Sequence, residues 1–283
     1  MKFILTSLIL LASLSVSAQK LEAYQLYNKK GRKVSFKKLI KSVKEKDIIL
    51  FGELHDNPIA HWMQLKLTQQ LHAENELVLG AEMLETDDQE VLNQYLHDEI
   101  NEKGLDSLAR LWVNHKTDYQ PLVDFAKANQ LQFIATNIPR RYASLVYKKG
   151  FKALDSLSKK EKSFLPPLPI AYDADLPGYK KMMEMMPDHA NPNFPKAQAI
   201  KDATMAYFIL KNRREGQQFI HYNGAYHSDN FEGIYWYIQQ ASEDLKVATI
   251  STVMQKDVGK LEKEYKGKAD FILVVDEEMT NTY

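Results

Sequence analysis

The stretch from Asp47 to His55, with the sequence DIILFGELH, decides the fold of this chain. It is an apolar run of strand length that ends abruptly in polar residues. Because it is apolar at successive positions, it predicts a strand buried on both faces, as in a parallel sheet covered by helices. Further runs of similar character follow along the chain. They span residues 76–82, 131–137, 217–224, 246–253 and 269–276.

Helical patterns lie between these runs. Ile59, Met63, Leu67 and Leu71 form an amphipathic stripe after the first run, and Pro121 is typical of a helix start. Alternating strand and helix signals of this kind predict an α/β fold. We therefore expect a mainly parallel β-sheet flanked by helices.

The segment 151–212 differs in kind, because it holds seven of the ten prolines and cannot form one long helix. Its three helical patterns, at 154–164, 179–186 and 196–211, predict a small α-helical insertion lobe. The predicted division of the chain is a signal peptide at 1–18, an N-terminal extension at 19–46, an α/β core at 47–150 and 213–283, and the lobe at 151–212.

The N-terminus has the features of a secretory signal peptide. Lys2 is followed by an apolar run at 3–14, and the small residues Val16 and Ala18 stand before Gln19. We predict cleavage after Ala18 and export to the periplasm or the extracellular space. The run is shorter than the roughly 20 residues that a spanning helix needs. No later segment is apolar enough to cross a bilayer, so we expect no transmembrane segment.

Composition excludes several classes of protein. The sequence has 37 basic and 37 acidic residues, and this balance argues against a nucleic-acid partner. It contains no cysteine, which excludes disulfides, thiolate metal sites and a cysteine nucleophile. Any metal would therefore be held by His, Asp, Glu, Tyr or Met.

Polar residues stop the predicted strands. Because parallel strands bring their carboxyl ends to one edge of the sheet, we expect these residues to form a ligand pocket there. Two of the strands carry the same Gly-x-x-His phrase, at 52–55 and 224–227. The predicted pocket residues are Glu53, His55, Glu82, Glu85, Asn137 and His227.

Imidazole and carboxylate groups suit two kinds of chemistry. They can hold a divalent metal such as zinc, iron or manganese, with Glu53, His55, Glu82 and His227 as the candidate ligands. They can also serve acid–base catalysis. Glu85 fits a position at a helix N-terminus as well as it fits the predicted pocket. Since strand-end polar residues pack less than core residues, we expect His55 or His227 to be replaceable with little loss of stability.

Several phrases together resemble the ChaN family of haem-binding uptake proteins, which shares a superfamily with the Tiki and TraB proteins and the erythromycin esterases. They are FGELHDN at 51–57, EMLE at 82–85, NIPR at 137–140, QAIKDATMA at 198–206 and GAYH at 224–227. The resemblance implies an α/β core with a helical lobe, haem as the cofactor, a role in iron uptake and a homodimer. It also implies that Glu53, His55, Glu82 and His227 could serve hydrolysis. The ChaN pattern includes a lipid-modified cysteine, which this chain lacks.

The family is associated with tyrosine ligation of haem iron, and Tyr142 is the first candidate here. Arg140 and Arg141 precede it and could face the propionates. An equally simple interpretation is that the arginines lie in solvent and that Tyr142 packs. Tyr172 and Tyr179 are weaker candidates.

Two functions remain in competition. The leading hypothesis is an exported haem-binding protein without turnover, and its rival is a metal-assisted or acid–base hydrolase. A third interpretation is a scaffold whose polar cluster binds a small molecule. No serine-hydrolase, nucleotide-triphosphate or dinucleotide motif occurs in the sequence.

Overall fold

The computed structural model describes residues 21–185 and 191–283. The predicted signal peptide at 1–18 lies outside the described residues.

A single mixed sheet of eight strands forms the centre of the described structure. The strands are β1 (Tyr24–Asn28), β2 (Lys33–Val34), β3 (Ile48–Glu53), β4 (Leu77–Glu85), β5 (Gln132–Asn137), β6 (Gln218–Gly224), β7 (Val247–Gln255) and β8 (Phe271–Asp276). Their order across the sheet is β2-β1-β8-β7-β3-β6-β4-β5. The strands from β8 to β5 are parallel, whereas β1 and β2 are antiparallel additions at one side. The predicted α/β class is confirmed.

Helices cover both faces of this sheet. They are α1 (Phe36–Val43), α2 (Pro58–His72), α3 (Gln89–Leu96), α4 (Glu102–Leu108), α5 (Gln120–Ala128), α6 (Arg140–Lys149), α7 (Lys159–Lys162), α8 (Pro177–Met185), α9 (Phe194–Asn212) and α10 (Ile234–Ala241). Helix α2 begins where the Asn57 side chain accepts from the Ala60 N–H, with Pro58 as its first residue. A π-helical turn, His115–Tyr119, leads into α5.

The packing of strand β3 on both faces of the sheet explains why its sequence is apolar. Ile49 and Phe51 point into one core cluster, shared with residues of α2 and α5, and Ile48 and Leu50 point into the other, shared with α9 and α10. Alternate side chains of a strand face opposite sides of a sheet, so a strand covered on both sides must be apolar at every position.

The segment 19–46, which carried no predicted element, contributes β1, β2 and α1. Strand β1 pairs antiparallel with β8, with Tyr24 opposite Val275 and Asn28 opposite Phe271. It is short, and a strand of this length has too few residues for a periodic pattern to stand out.

The predicted insertion lobe contains α7, α8 and α9. The patterns at 179–186 and 196–211 correspond to α8 and α9, whereas the pattern at 154–164 gives only a 3-10 turn and the single-turn α7. Tyr142, Val146, Leu154, Leu165 and Ile200 join α6 to this region in one apolar cluster. Helix α9 also packs on β5, so it connects the lobe to the sheet. The domain boundaries stay a prediction.

Within residues 21–185 and 191–283, no helix is both long and apolar enough to span a bilayer.

Candidate functional site

The two Gly-x-x-His phrases lie side by side because β3 and β6 are neighbours in the sheet. Glu53 at the end of β3 is in register with Gly224 at the end of β6. Strand β4, which carries Glu82, pairs with the other side of β6. A Cβ atom on Gly224 would lie 2.8 Å from the imidazole of His55 and 3.5 Å from Glu82 Oε2. The close approach of the His55 ring thus requires glycine at 224.

His55 is held by a buried carboxylate. Its Nδ1 lies 2.9 Å from Glu53 Oε1, and the Glu53 side chain is fully buried whereas that of His55 is 34 % exposed. Tyr119 OH donates to Glu53 Oε1 at 2.7 Å, and Gln64 Nε2 donates to Oε2 at 2.5 Å. Glu53 is therefore fixed from both sides, and the orientation of the His55 ring follows from it.

Two opposing effects act on the His55 imidazole. Burial alone would lower its pKa, but the hydrogen bond that the ring donates to Glu53 and the nearby charge of Glu82 outweigh burial, so the pKa lies above its ordinary value. Of the two Gly-x-x-His histidines, His55 is partly exposed, whereas His227 is buried.

His227 lies in the turn after β6, between two buried carboxylates. Its Nε2 is 3.0 Å from Glu82 Oε1 and its Nδ1 is 2.5 Å from Asp202 Oδ1. Burial opposes the charged imidazole, but Glu82 and Asp202 together raise the pKa of His227 well above its ordinary value. Both ring nitrogens are engaged, so we describe His227 as a buried imidazolium.

The two carboxylates around His227 are not equivalent. Burial opposes ionisation of Glu82, but the His227 charge outweighs it and lowers the pKa of Glu82, with a further contribution from the Gly224 N–H, which donates to Glu82 Oε2 at 2.7 Å. At Asp202 burial prevails over the His227 charge and raises the pKa. Glu82 is thus the main counter-ion of His227.

Asp202 was not among the predicted site residues, because a polar residue on a helix face is most simply explained by solvent. In the structure it is 1 % exposed and comes from α9, across from the strand ends. Its neighbour one turn earlier, Gln198, also contacts His227 Nδ1, at 2.9 Å. The i, i+4 spacing of these two residues on one helix face was the signal that could have found them.

A second buried group supports the Glu53 side of the site. Asp118 Oδ2 accepts from Asn114 Nδ2 at 2.7 Å and from Thr282 Oγ1 at 2.6 Å, and it lies 3.5 Å from His61 Nε2. His61 Nδ1 is in turn 3.6 Å from Glu53 Oε2. The segment at 279–283 is therefore anchored at Thr282.

Among the cavities at this edge of the sheet, two are large and lie close to His55. The larger, about 690 Å³, is bordered by His55 and His227. Its wall also includes Tyr226, Val253, Met254, Tyr265, Lys268 and Tyr283. The smaller, about 540 Å³, is bordered by Glu85, Arg110, Trp112, Asn114, Arg140 and Tyr283. Tyr283 borders both, and the Trp112 ring stands edge-on to His55 with ring centroids 4.8 Å apart. The two cavities are thus neighbours.

The structure places Glu85 and Asn137 at the ends of β4 and β5, in register with each other. Glu85 Oε2 accepts from Arg110 Nε at 2.9 Å and borders the smaller cavity. Asn137 is buried and does not border either cavity. Of the six predicted pocket residues, the structure therefore groups Glu53, His55, Glu82 and His227, and it sets the other two apart.

Tyr142 does not lie at the larger cavity. It is 3 % exposed within the lobe cluster, and its hydroxyl accepts from Arg141 Nη2 at 3.1 Å and donates to Glu161 Oε1 at 3.3 Å. An iron atom at this oxygen would have to displace the hydroxyl proton and with it the hydrogen bond to Glu161. Tyr142 as the iron ligand stays a prediction, and its burial away from the larger cavity argues against it.

No group of three or more His, Asp or Glu side chains within the described ranges has the geometry to hold a metal ion. The physical reason is visible in the contacts: the carboxylate oxygens of Glu53 accept from Tyr119, Gln64 and His55, and both nitrogens of His227 face carboxylates. The interpretation of the four residues as ligands of a divalent metal is not supported.

The sequence of residues 39–238 matches the family described as haem-binding uptake, Tiki superfamily, ChaN. The chain belongs to the ChaN family. The predicted resemblance is thereby confirmed. No protein with curated annotation matches the chain in sequence.

Solved structures share the fold. The ChaN protein of Campylobacter jejuni, which is described as binding haem cofacially, has a TM-score of 0.68 at 16 % identity, covering 89 % of this chain and 97 % of that one. A succinoglycan biosynthesis protein has a TM-score of 0.54 at 11 % identity, covering 85 % and 90 %. A Bacillus cereus protein has a TM-score of 0.53 at 11 % identity, covering 90 % and 95 %. At these identities the comparison shows a common architecture.

Proposed function

We propose that this protein binds haem in the larger cavity and takes part in haem or iron uptake outside the cytoplasm. The observation that carries the proposal is the open cavity of about 690 Å³ at the carboxyl ends of the parallel strands, lined by phenols, in a chain of the ChaN family. Ligands of open parallel sheets bind at this edge.

The lining of the cavity fits a haem group. Leu54, Val253 and Met254 supply apolar wall for a flat macrocycle. Lys268 also lines the cavity, with its ammonium 3.0 Å from Asp229 Oδ2. Tyr226, Tyr265 and Tyr283 supply phenol oxygens of the kind that hold ferric haem. When bound, the group would supply a ferric centre that a phenolate of this cavity could hold.

The three phenols differ in suitability. Burial and nearby carboxylates raise the pKa of Tyr226 to about 12, and its hydroxyl already donates to Gly178 O at 2.6 Å. Burial and nearby carboxylates also raise the pKa of Tyr265, but its hydroxyl donates only a long hydrogen bond, to Met254 O at 3.4 Å, and is therefore more easily freed than that of Tyr226. We take Tyr265 as the first candidate and Tyr283 as the second.

The test is a spectroscopic titration with haemin. The wild type should show a Soret shift and a high-spin ferric spectrum with a charge-transfer band. Tyr265→Phe or Tyr283→Phe should abolish the charge-transfer band, whereas Tyr142→Phe should keep the wild-type spectrum. A wild type that gives no Soret shift would remove the haem proposal, and a low-spin spectrum would reject phenolate ligation.

Two finer points belong to the same proposal. Export is supported by the sequence pattern at 1–18. Mass analysis of the exported protein should find Gln19 as its first residue; retention of Met1 would contradict this.

A homodimer is supported by the family resemblance. Light scattering with and without haemin tests this point, and a monomer under both conditions would contradict it.

A second function, acid–base hydrolysis, is favoured by one specific observation: His55 is fixed through Nδ1 on buried Glu53 and partly exposed on the cavity side. In such a reaction, neutral His55 takes a proton from water, the resulting hydroxide adds to an ester or amide carbonyl, and the proton passes to the leaving group. Hydrolysis of a p-nitrophenyl ester should rise with pH as His55 loses its proton, and His55→Ala should abolish it. Equal rates in the wild type and this variant would exclude the activity.

A further inference from the structure

His61 of helix α2 is a buried histidine that neither proposed function uses. Its side chain is 6 % exposed, and its ring stands edge-on to that of Tyr119, with the centroids 5.1 Å apart. Two buried carboxylates flank it: Nδ1 is 3.6 Å from Glu53 Oε2, and Nε2 is 3.5 Å from Asp118 Oδ2. The ring therefore lies between the carboxylate that holds His55 and the carboxylate that anchors the C-terminal segment.

The hydrogen bonds of the ring show where its protons are. Nε2 lies 3.0 Å from the backbone oxygen of His55, which can only accept, so this nitrogen carries a proton. Nδ1 lies 3.3 Å from Gln64 Oε1. The Gln64 amide has a fixed orientation, because its Nε2 donates to Glu53 Oε2 at 2.5 Å and its oxygen must then face the ring. Nδ1 therefore carries a proton as well, whereas a neutral imidazole has only one N–H.

The surrounding charges support the same assignment. The side chains of Glu53 and Asp118 are 0 % and 2 % exposed, and a carboxylate buried without a cation is costly. Among the residues that the structure describes, His61 is the only side chain within 4.0 Å of the Asp118 carboxylate that can carry a positive charge. On the other half of the site, His227 lies between two buried carboxylates in the same way.

We propose that His61 is a second buried imidazolium of the site and a positioning residue for His55. Its Nε2 proton holds the His55 backbone oxygen, which also accepts from Asn114 Nδ2 at 2.8 Å. Its charge offsets that of Glu53, which by itself would favour a proton on the His55 ring. His61 thus keeps neutral His55 available, which is the form that takes a proton in the proposed hydrolysis. Only this last step rests on that proposed function.

The first test is nitrogen NMR of the histidine rings in the isotope-labelled wild type, without any ligand. At neutral pH both ring nitrogens of His61 should have the chemical shifts of protonated nitrogens. The signals are assigned through the backbone of His61, so the result does not depend on a variant that folds. One unprotonated nitrogen at neutral pH would overturn the charge assignment.

The second test follows the titration of His55 in the same spectra. His61→Gln removes the charge but keeps an amide N–H, and the pKa of His55 should rise, because a positive charge has left its surroundings. His97→Gln is the matched control, since His97 is exposed at the end of α3, and it should leave the His55 pKa unchanged. The other charged or titratable groups that act on the His55 ring are Glu53, Glu82 and His227.

A merely structural role of His61 predicts the opposite shift. A His55 ring released from Glu53 would have a lower pKa, so a fall in His61→Gln would overturn the electrostatic role. An unmoved pKa, or an equal rise in His97→Gln, would overturn it too. Neither test uses haemin or an ester, so the proposed functions and this inference can fail independently.

Discussion

The imidazole of His227 bridges Glu82 and Asp202, with its Nε2 3.0 Å from the first carboxylate and its Nδ1 2.5 Å from the second. All three side chains are buried. One imidazolium thus meets two carboxylates in a region from which water is excluded, and removal of either His227 or Glu82 leaves an uncompensated charge.

His227→Ala should therefore destabilise the fold by about 3–5 kcal/mol, the typical cost of breaking a buried ion pair. For His227 this expectation differs from the one drawn from the sequence, which was a small loss of stability for either histidine. His55→Ala should cost less than about 1.5 kcal/mol, because the His55 side chain is one-third exposed. Urea unfolding of the two variants measures the difference. Equal and small losses would show that the triad does not stabilise the fold.

The stability of the fold should also depend on pH through His227. Its pKa in the folded state lies above the ordinary value of 6.5, so its contribution is fully present below that pH and is lost as pH rises through the folded pKa. We expect the urea midpoint of the wild type to fall on the alkaline side of neutrality more steeply than that of His227→Gln. Parallel profiles for the two proteins would contradict this assignment.

Gly224→Ala should displace His55. The backbone of Gly224 has a φ of −56°, which alanine adopts without strain, but its Cβ would lie 2.8 Å from the imidazole. The ring, which is the far end of a side chain, would swing outward and lose Glu53. Because Glu53 and Glu82 raise the His55 pKa, an NMR titration should find it lower in the variant. An unchanged pKa would mean that the ring keeps its place.

Thr282→Val should loosen the anchored segment. The variant removes the hydroxyl that donates to buried Asp118, and we expect a loss of about 1–2 kcal/mol in the free energy of unfolding. Thr280→Val is the matched control, because Thr280 is exposed in the same segment. Hydrogen exchange of residues 277–283 should rise in the first variant only; indistinguishable exchange would show that the anchor is dispensable.

The sequence predicted those parts of the site that follow from topology. Each strand that ends in Gly-x-x-His is an apolar run. Because the two strands are parallel, His55 and His227 must lie at the same edge of the sheet. Asp202 could not be predicted in this way, since its burial depends on the angle at which α9 packs against the sheet. The burial of Tyr142 could not be predicted for a similar reason, because adjacency to two arginines does not reveal whether a helix turns a phenol towards a cavity or into a core.

The antiparallel pairing of β1 with β8 has a consequence for tethering the molecule. Tyr24, at the start of β1, pairs with Val275, near the end of β8, and Val275 pairs with Met254 of the larger cavity. The start of β1 and the end of β8 therefore both lie at the edge of the sheet that carries the site. A surface linker or a bulky fusion attached at either end would crowd the ligand. The turn at Gly216, beside the start of β6 and with nothing within 4 Å of its Cβ position, is at the opposite edge and offers an attachment point that leaves the cavities open.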